Sequence, residues 1–172
     1  MQNEQALNPA RIAALVYSQG QNPEPVLAAL VDVLRTRKVA LAGTIQHSHG
    51  PCSMVLEILP SGVRVPISQN LGRGASGCRL DAAALAEAAS MVRRALGTSP
   101  ALVVFNKFGA QEASGNGLSD EMAEAALSGL PMLTAVNEKL LPQWSAFTGG
   151  AFSRLPCSVE AALAWWQSMQ PD

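Results

Sequence analysis

The chain predicts a three-layer α/β domain with a mostly parallel sheet and an inserted β-hairpin, and three observations carry that prediction. Short apolar runs alternate with segments whose apolar residues recur at helical spacing, the pattern of strand-helix-strand units in which helices cover a parallel sheet. Two runs, 54–59 and 63–67, are joined by Pro60-Ser61-Gly62, too short for a crossover helix and suited to an antiparallel hairpin. The 172 residues, 48% of them apolar, suffice for one core, and no internal repeat or low-complexity linker divides them.

The first ten residues, with Asn3, Glu4 and Asn8, form a polar tail before a single domain over 11–170. Ile12 to Tyr17 is an apolar strand, ended by the turn formers between Ser18 and Pro25. A helix follows, because proline suits a first helical turn and Val26, Leu27, Leu30, Val31 and Leu34 make a one-sided stripe. Val39 to Gln46 completes a strand-helix-strand unit, expected to be parallel and right-handed. After the hairpin, the Gly, Ser and Asn content of 68–79 predicts a surface loop. Asp81 then caps a helix running to about Leu96, where Gly97 stops it. Ala101 to Phe105 is a buried strand and 106–117 a loop. Asp120 and Glu121 sit in the favoured acidic first turn of a helix from about Leu118 to Ser128, with Gly129 at its end. Pro131 to Val136 reads as another strand, and Ser158 caps a last helix carrying Trp165 and Trp166. Trp144, Phe147, Trp165 and Trp166 read as core, or as a contact between copies in a homo-oligomer.

A net charge of -1 and the absence of charge runs give no reason to expect nucleic acid or an anionic membrane as partner. Arg35-Thr-Arg37-Lys38 suits the negative end of a helix. No apolar run reaches the roughly 20 residues of a membrane span, and the polar start lacks the features of a signal peptide, so no membrane insertion and a cytoplasmic location are expected. Three widely spaced cysteines, Cys52, Cys78 and Cys157, suggest reduced thiols.

In such sheets ligands bind beyond the carboxyl ends of the strands. The candidates are therefore the loops after strands: Ser18 and Gln19 in the first, and Asn106, Lys107, Gln111 and Glu112 in the second. Lys107 places an ammonium where an anion can be held, with Asn106 as a hydrogen-bond donor beside it; a Lys107–Glu112 pair would instead be structural. Gly72-Arg73-Gly74-Ala-Ser76-Gly77-Cys78-Arg79 offers flexible backbone and two guanidiniums, Arg73 and Arg79, as a second anion cradle. His47, His49, Cys52 and Cys78 could supply four nitrogen and sulfur ligands of the kind zinc prefers, and Cys78 alone a thiol activated by its arginine neighbours, although a buried core thiol is the simpler reading.

The order of elements is similar to that of small P-loop nucleoside-triphosphatases. More closely, Ile67-Ser-Gln69, Cys78-Arg-Leu-Asp81, Phe105-Asn-Lys-Phe-Gly-Ala-Gln-Glu-Ala113, Gly117-Leu118 with Asp120-Glu121, and Gly129-Leu-Pro-Met-Leu-Thr-Ala-Val136 resemble the bacterial domain-of-unknown-function family 2478, often encoded near molybdate-transport genes. The resemblance implies a nucleotide-hydrolase scaffold, but the chemistry departs from it. A phosphate loop needs glycines, a Lys and a Ser or Thr on Mg²⁺, whereas Ser18 to Pro25 has one glycine and no Lys. Asn106 and Lys107 stand where acids normally hold the metal. The expectation is a non-hydrolytic binding or regulatory protein for a small anionic or nucleotide-like ligand, with no cofactor and, by resemblance, a link to molybdenum uptake or use. The alternatives are an unorthodox nucleotide hydrolase with its metal on Asp81, Glu112 or Asp120, and a metal-handling protein using the His and Cys residues.

Overall fold

Along the first strand, Ile12 and Ala14 point into one core and Ala13 and Leu15 into another, so the strand is apolar on both faces, as an internal parallel strand must be. The computed structural model describes residues 11–50, 52–70 and 78–171. Among the described residues, nine strands and six α-helices follow one another as β1 (Ile12–Tyr17), α1 (Pro23–Thr36), β2 (Leu41–Ser48), β3 (Met54–Leu59), β4 (Arg64–Pro66), β5 (Ser68–Asn70), β6 (Cys78–Leu80), α2 (Ala82–Leu96), β7 (Leu102–Val104), α3 (Ala110–Ala113), α4 (Ser119–Leu127), β8 (Met132–Asn137), α5 (Leu141–Thr148), β9 (Ser153–Pro156) and α6 (Val159–Ser168). The main sheet has the order β4-β3-β2-β7-β8-β1-β9. Its β2, β7, β8, β1 and β9 are mutually parallel, while β3 and β4 extend it antiparallel. α1 and α6 cover one face, and α2, α4 and α5 the other, which gives the three layers.

Local chemistry accounts for the helix ends. Asn22 Oδ1 accepts from the Glu24 amide at 3.1 Å to open α1, and Leu27, Leu30, Val31 and Leu34 are buried as the stripe requires. Asp81 opens α2 by accepting from the Ala84 amide at 3.1 Å, and Gly97 closes it. Trp144, Trp165 and Trp166 are buried within the domain, and Trp144 packs with Phe108, Phe147 and Phe152. No described helix is long and apolar enough to cross a membrane.

Four expectations change. The segment 68–79 is not simply a loop: β5 and β6 pair as a two-stranded antiparallel ribbon. Polar residues form this ribbon because they dock it, Ser68 Oγ donating to the Cys52 carbonyl at 2.7 Å and accepting from the Met54 amide at 2.9 Å. Residues 71–77, including Arg73, lie outside the described residues, as does the Cys78 side chain. Cys52 is disulfide-bonded rather than reduced, since the turn that carries it folds onto this ribbon, while Cys157 is free. The supposed loop 106–117 contains α3, and β9 is an additional edge strand, where its Pro156 costs no ladder hydrogen bond.

Arg35 does more than sit at the end of α1. Its guanidinium donates to Glu57 on β3 at 2.7 Å, and the same buried carboxylate meets His47 Nε2 at 3.0 Å and Arg64 at 3.7 Å. Burial pushes the Glu57 carboxyl up, but the hydrogen bonds and charges of Arg35 and His47 outweigh it and leave it below the ordinary value. Its contribution to stability is therefore complete above the unfolded carboxyl range and is lost as pH falls through the folded value. Glu57→Gln should lower stability at neutral pH by about 1–2 kcal/mol, with the gap to the native protein closing in acid; melting curves at neutral and acidic pH check this.

Candidate functional site

The ends of β1, β2 and β7 converge on a cleft, and two buried phenylalanines decide what enters it. Phe105 donates its amide to Leu133 O at 2.9 Å and Phe108 to Ala135 O at 2.9 Å, so both stay pinned to β8 and buried. Asn106 and Lys107 between them are turned out, half-buried, toward the cleft.

Asn106 belongs to a hydrogen-bonded chain with a fixed direction. Glu24 accepts at Oε1 from the Ser48 amide at 2.9 Å and at Oε2 from Ser48 Oγ at 2.8 Å. Its hydroxyl proton used, Ser48 can only accept from Gln46 Nε2, at 3.2 Å, and Gln46 Nε2 also faces Glu24 at 3.5 Å. Gln46 therefore turns its oxygen to Asn106 Nδ2, at 3.1 Å, and Asn106 turns its own oxygen to the Thr44 hydroxyl, at 2.8 Å. One Asn106 N–H is left without a partner among the described residues. Thr44 and Gln46 are buried two apart on β2 and so share a face.

The loop that follows is held by Glu112. Its Oε1 accepts from the Gly109 amide at 3.0 Å and its Oε2 from the Leu118 amide at 3.4 Å, which ties the start of α3 to the start of α4. Burial raises the carboxyl above its ordinary value, against the pull of these amides and of the Lys107 charge. Lys107 lays its stem over Gly109, but its ammonium forms no ion pair among the described residues, so the alternative Lys107–Glu112 pair is not made: Glu112 gives its oxygens to backbone instead.

A cavity of about 210 Å³ opens here. Met54, Leu56, Ile67, Leu80, Leu85 and Leu118 form its apolar wall, and Gln46, Asn106, Lys107, Gln111 and Glu112 its polar side. A smaller recess of about 170 Å³ lies beside it, between Tyr17, Asn22, Pro23, Glu24, Gln46, Asn106 and Lys107. The start of α1 faces this recess, with neither Pro23 nor Pro25 carrying an N–H and the Glu24 amide taken by Asn22.

Asn106, Lys107, Gln111 and Glu112 are thus brought together. Ser18 is not with them: it closes its own turn on Gln21 Oε1 and borders a separate open groove, and Gln19 is exposed. Arg79 is exposed on β6 and lines none of these cavities. His47 is engaged by Glu57, His49 lies exposed in the following turn, and Cys52 is bonded to sulfur; the described residues hold no group of three His, Cys, Asp or Glu able to hold a metal. Asp81 is used as a helix cap and Asp120 is exposed. Sequence reasoning missed Glu24, Thr44 and Gln46. The available signal was Thr44 and Gln46 two apart in an otherwise apolar strand, since polar side chains buried at that spacing must face a common partner.

The fold is shared with THEP1 from the hyperthermophile Aquifex aeolicus, whose crystal structure matches with a TM-score of 0.64 over 92% of this chain and 96% of that one, at 8% identity. A segment of the "Molybdenum import ATP-binding protein ModC 2" of Bradyrhizobium diazoefficiens is 37% identical over 166 residues, which are 94% of this chain and 18% of that protein, so the chain spans less than a fifth of that relative's length. The family model described as "Protein of unknown function (DUF2478)" matches residues 12–165, and with nearly the whole domain so covered, the chain belongs to the DUF2478 family.

Proposed function

We propose that this protein is a non-hydrolytic ligand-binding and regulatory module on an NTPase-like scaffold, taking a small anionic ligand at Lys107 and Asn106 and acting in molybdenum uptake or use. One observation carries the reading: the anion-binding end of α1 is closed, while at the neighbouring cavity Lys107 forms no ion pair among the described residues. A helix start binds phosphate through free backbone N–H groups. Here prolines remove two of them, Asn22 occupies a third, and the Glu24 carboxylate, anchored by Ser48, adds a negative charge in front. At the end of β7 an amide and an ammonium replace the carboxylates that would hold Mg²⁺ and activate water. Lys107 can neutralise the anion, and the spare N–H of Asn106 can orient it.

The relative supports the molybdenum association. It is named as an ATP-binding import protein, and this chain corresponds to a minor part of it. On this reading the ATP-binding activity of that protein resides in its remaining length, and the matched segment reports on a ligand.

A thermal-shift series with molybdate, tungstate, sulfate, phosphate, and ATP with and without Mg²⁺ tests this. An anion at a hundred times its Kd should stabilise the protein by about 2.7 kcal/mol. Lys107→Ala should remove that gain while changing unliganded stability by less than about 0.5 kcal/mol, because among the described residues the ammonium makes no ion pair and acts on Glu112 only through its charge. Mg²⁺-dependent phosphate release that persists in Lys107→Ala and disappears in Glu112→Gln would replace the reading with that of a nucleotide hydrolase.

A further inference from the structure

We infer that the ligand of the Lys107 cavity is a small organic anion: a ring-sized apolar body against Met54, Leu56, Leu85 and Leu118, ending in a carboxylate or phosphate that only accepts hydrogen bonds. This rests on the anion-binding reading above and specifies the chemistry of the same site. Three features of the cavity select this class.

The first is its wall. A bare tetrahedral oxyanion needs donors on every side, and six of the lining residues offer only apolar side chains without a hydrogen-bond donor. Stripping a hydrated ion against such a surface is costly, whereas a hydrocarbon body gains from it. The second is size. A cavity of roughly 150 Å³ lined by aliphatic and aromatic side chains accommodates benzene, so about 210 Å³ has room for a larger ring system. The third is polarity. Because Glu24 can only accept, the order Glu24, Ser48, Gln46, Asn106, Thr44 is locked, and Asn106 shows the cavity an N–H rather than an oxygen. With Lys107 beside it, and with the two Glu112 oxygens already accepting from the Gly109 and Leu118 amides, the Asn106–Lys107 end presents donors and positive charge. A head group that itself donates, such as an amine or alcohol, is therefore disfavoured.

Calorimetric titration of the full chain with 1-naphthoate and 1-naphthyl phosphate, set against neutral 1-naphthalenemethanol and against inorganic phosphate and molybdate, decides the matter. At least one of the charged naphthyl probes should bind at least about ten-fold tighter than the alcohol and tighter than either inorganic ion, and whichever binds more strongly distinguishes the two head groups. Lys107→Met, which keeps the aliphatic stem, should abolish that advantage over the alcohol. Ala110→Trp, at an exposed lining position where folding tolerates bulk, should abolish naphthyl binding altogether; circular dichroism confirms that both variants fold. Inorganic ions binding tighter than the naphthyl anions, with dependence on Lys107, would overturn this inference and leave the anion-binding reading standing. Equal affinity for the acid and the alcohol, naphthyl binding that survives Ala110→Trp, or no binding by any naphthyl probe would overturn it as well. Absence of binding by every probe, inorganic ions and nucleotides included, would remove both.

Discussion

Gly43→Ala is expected to abolish folding. Gly43 lies in the middle of the sheet, on β2 opposite Val104 of β7, with φ at +110°. A Cβ there would stand 1.8 Å from the Val104 carbonyl oxygen and 2.8 Å from its carbon. Those atoms are backbone of a buried parallel strand, so no rotamer change relieves the overlap. Either the two strands part, with loss of ladder hydrogen bonds and of packing by Leu41, Ile45, Leu102 and Val104, or the chain takes another path. The strained backbone alone costs about 1–3 kcal/mol, and the overlap adds more, against a total stability of only about 5–15 kcal/mol. Gly62→Ala is the control, since its φ is also positive but nothing lies within 4 Å of the added atom. Circular dichroism melts of the two variants give the comparison. A Gly43→Ala protein melting within a few degrees of Gly62→Ala would show that the β2–β7 approach is not as close as described.

The second large effect falls on the site. Gly117→Ala puts a methyl 1.8 Å from Glu112 Oε2, at a position with φ at +60°. The carboxylate can swing away, but then the Gly109 and Leu118 amides lose their acceptor and α3 is freed from α4. Two charge-assisted hydrogen bonds and the backbone cost make a loss of about 3 kcal/mol. Because Gly109, Ala110, Gln111 and Glu112 all line the cavity, ligand-induced stabilisation should vanish together with that stability. Gly115→Ala, in the same loop with φ at +85° and open space around it, should cost only about 1 kcal/mol and leave binding intact. Denaturant titration with and without ligand separates the outcomes, and equal behaviour of the two variants would deny Glu112 its place as the fastener of this loop.

The sequence by itself was enough for the layered architecture, because two-sided apolar strands such as Ile12 to Tyr17 and the one-sided stripe of α1 are statements about burial that any fold must respect. It also determined that Asn106 and Lys107 end a buried strand, since polar residues directly after Phe105 have only the strand's end to go to. What Glu112 does was settled by tertiary structure alone. Its carboxylate is taken by amides three and six residues away, and only the curl of the loop shows that both converge on it. The same holds for Glu24, which reaches Ser48 across 24 positions of chain, and for Cys52, whose bond contradicts what an odd number of scattered cysteines suggests. Apolar periodicity is local and can be read along a chain. The partner of a polar group depends on which strand ends the sheet order brings side by side, and that order is decided only when the whole core closes.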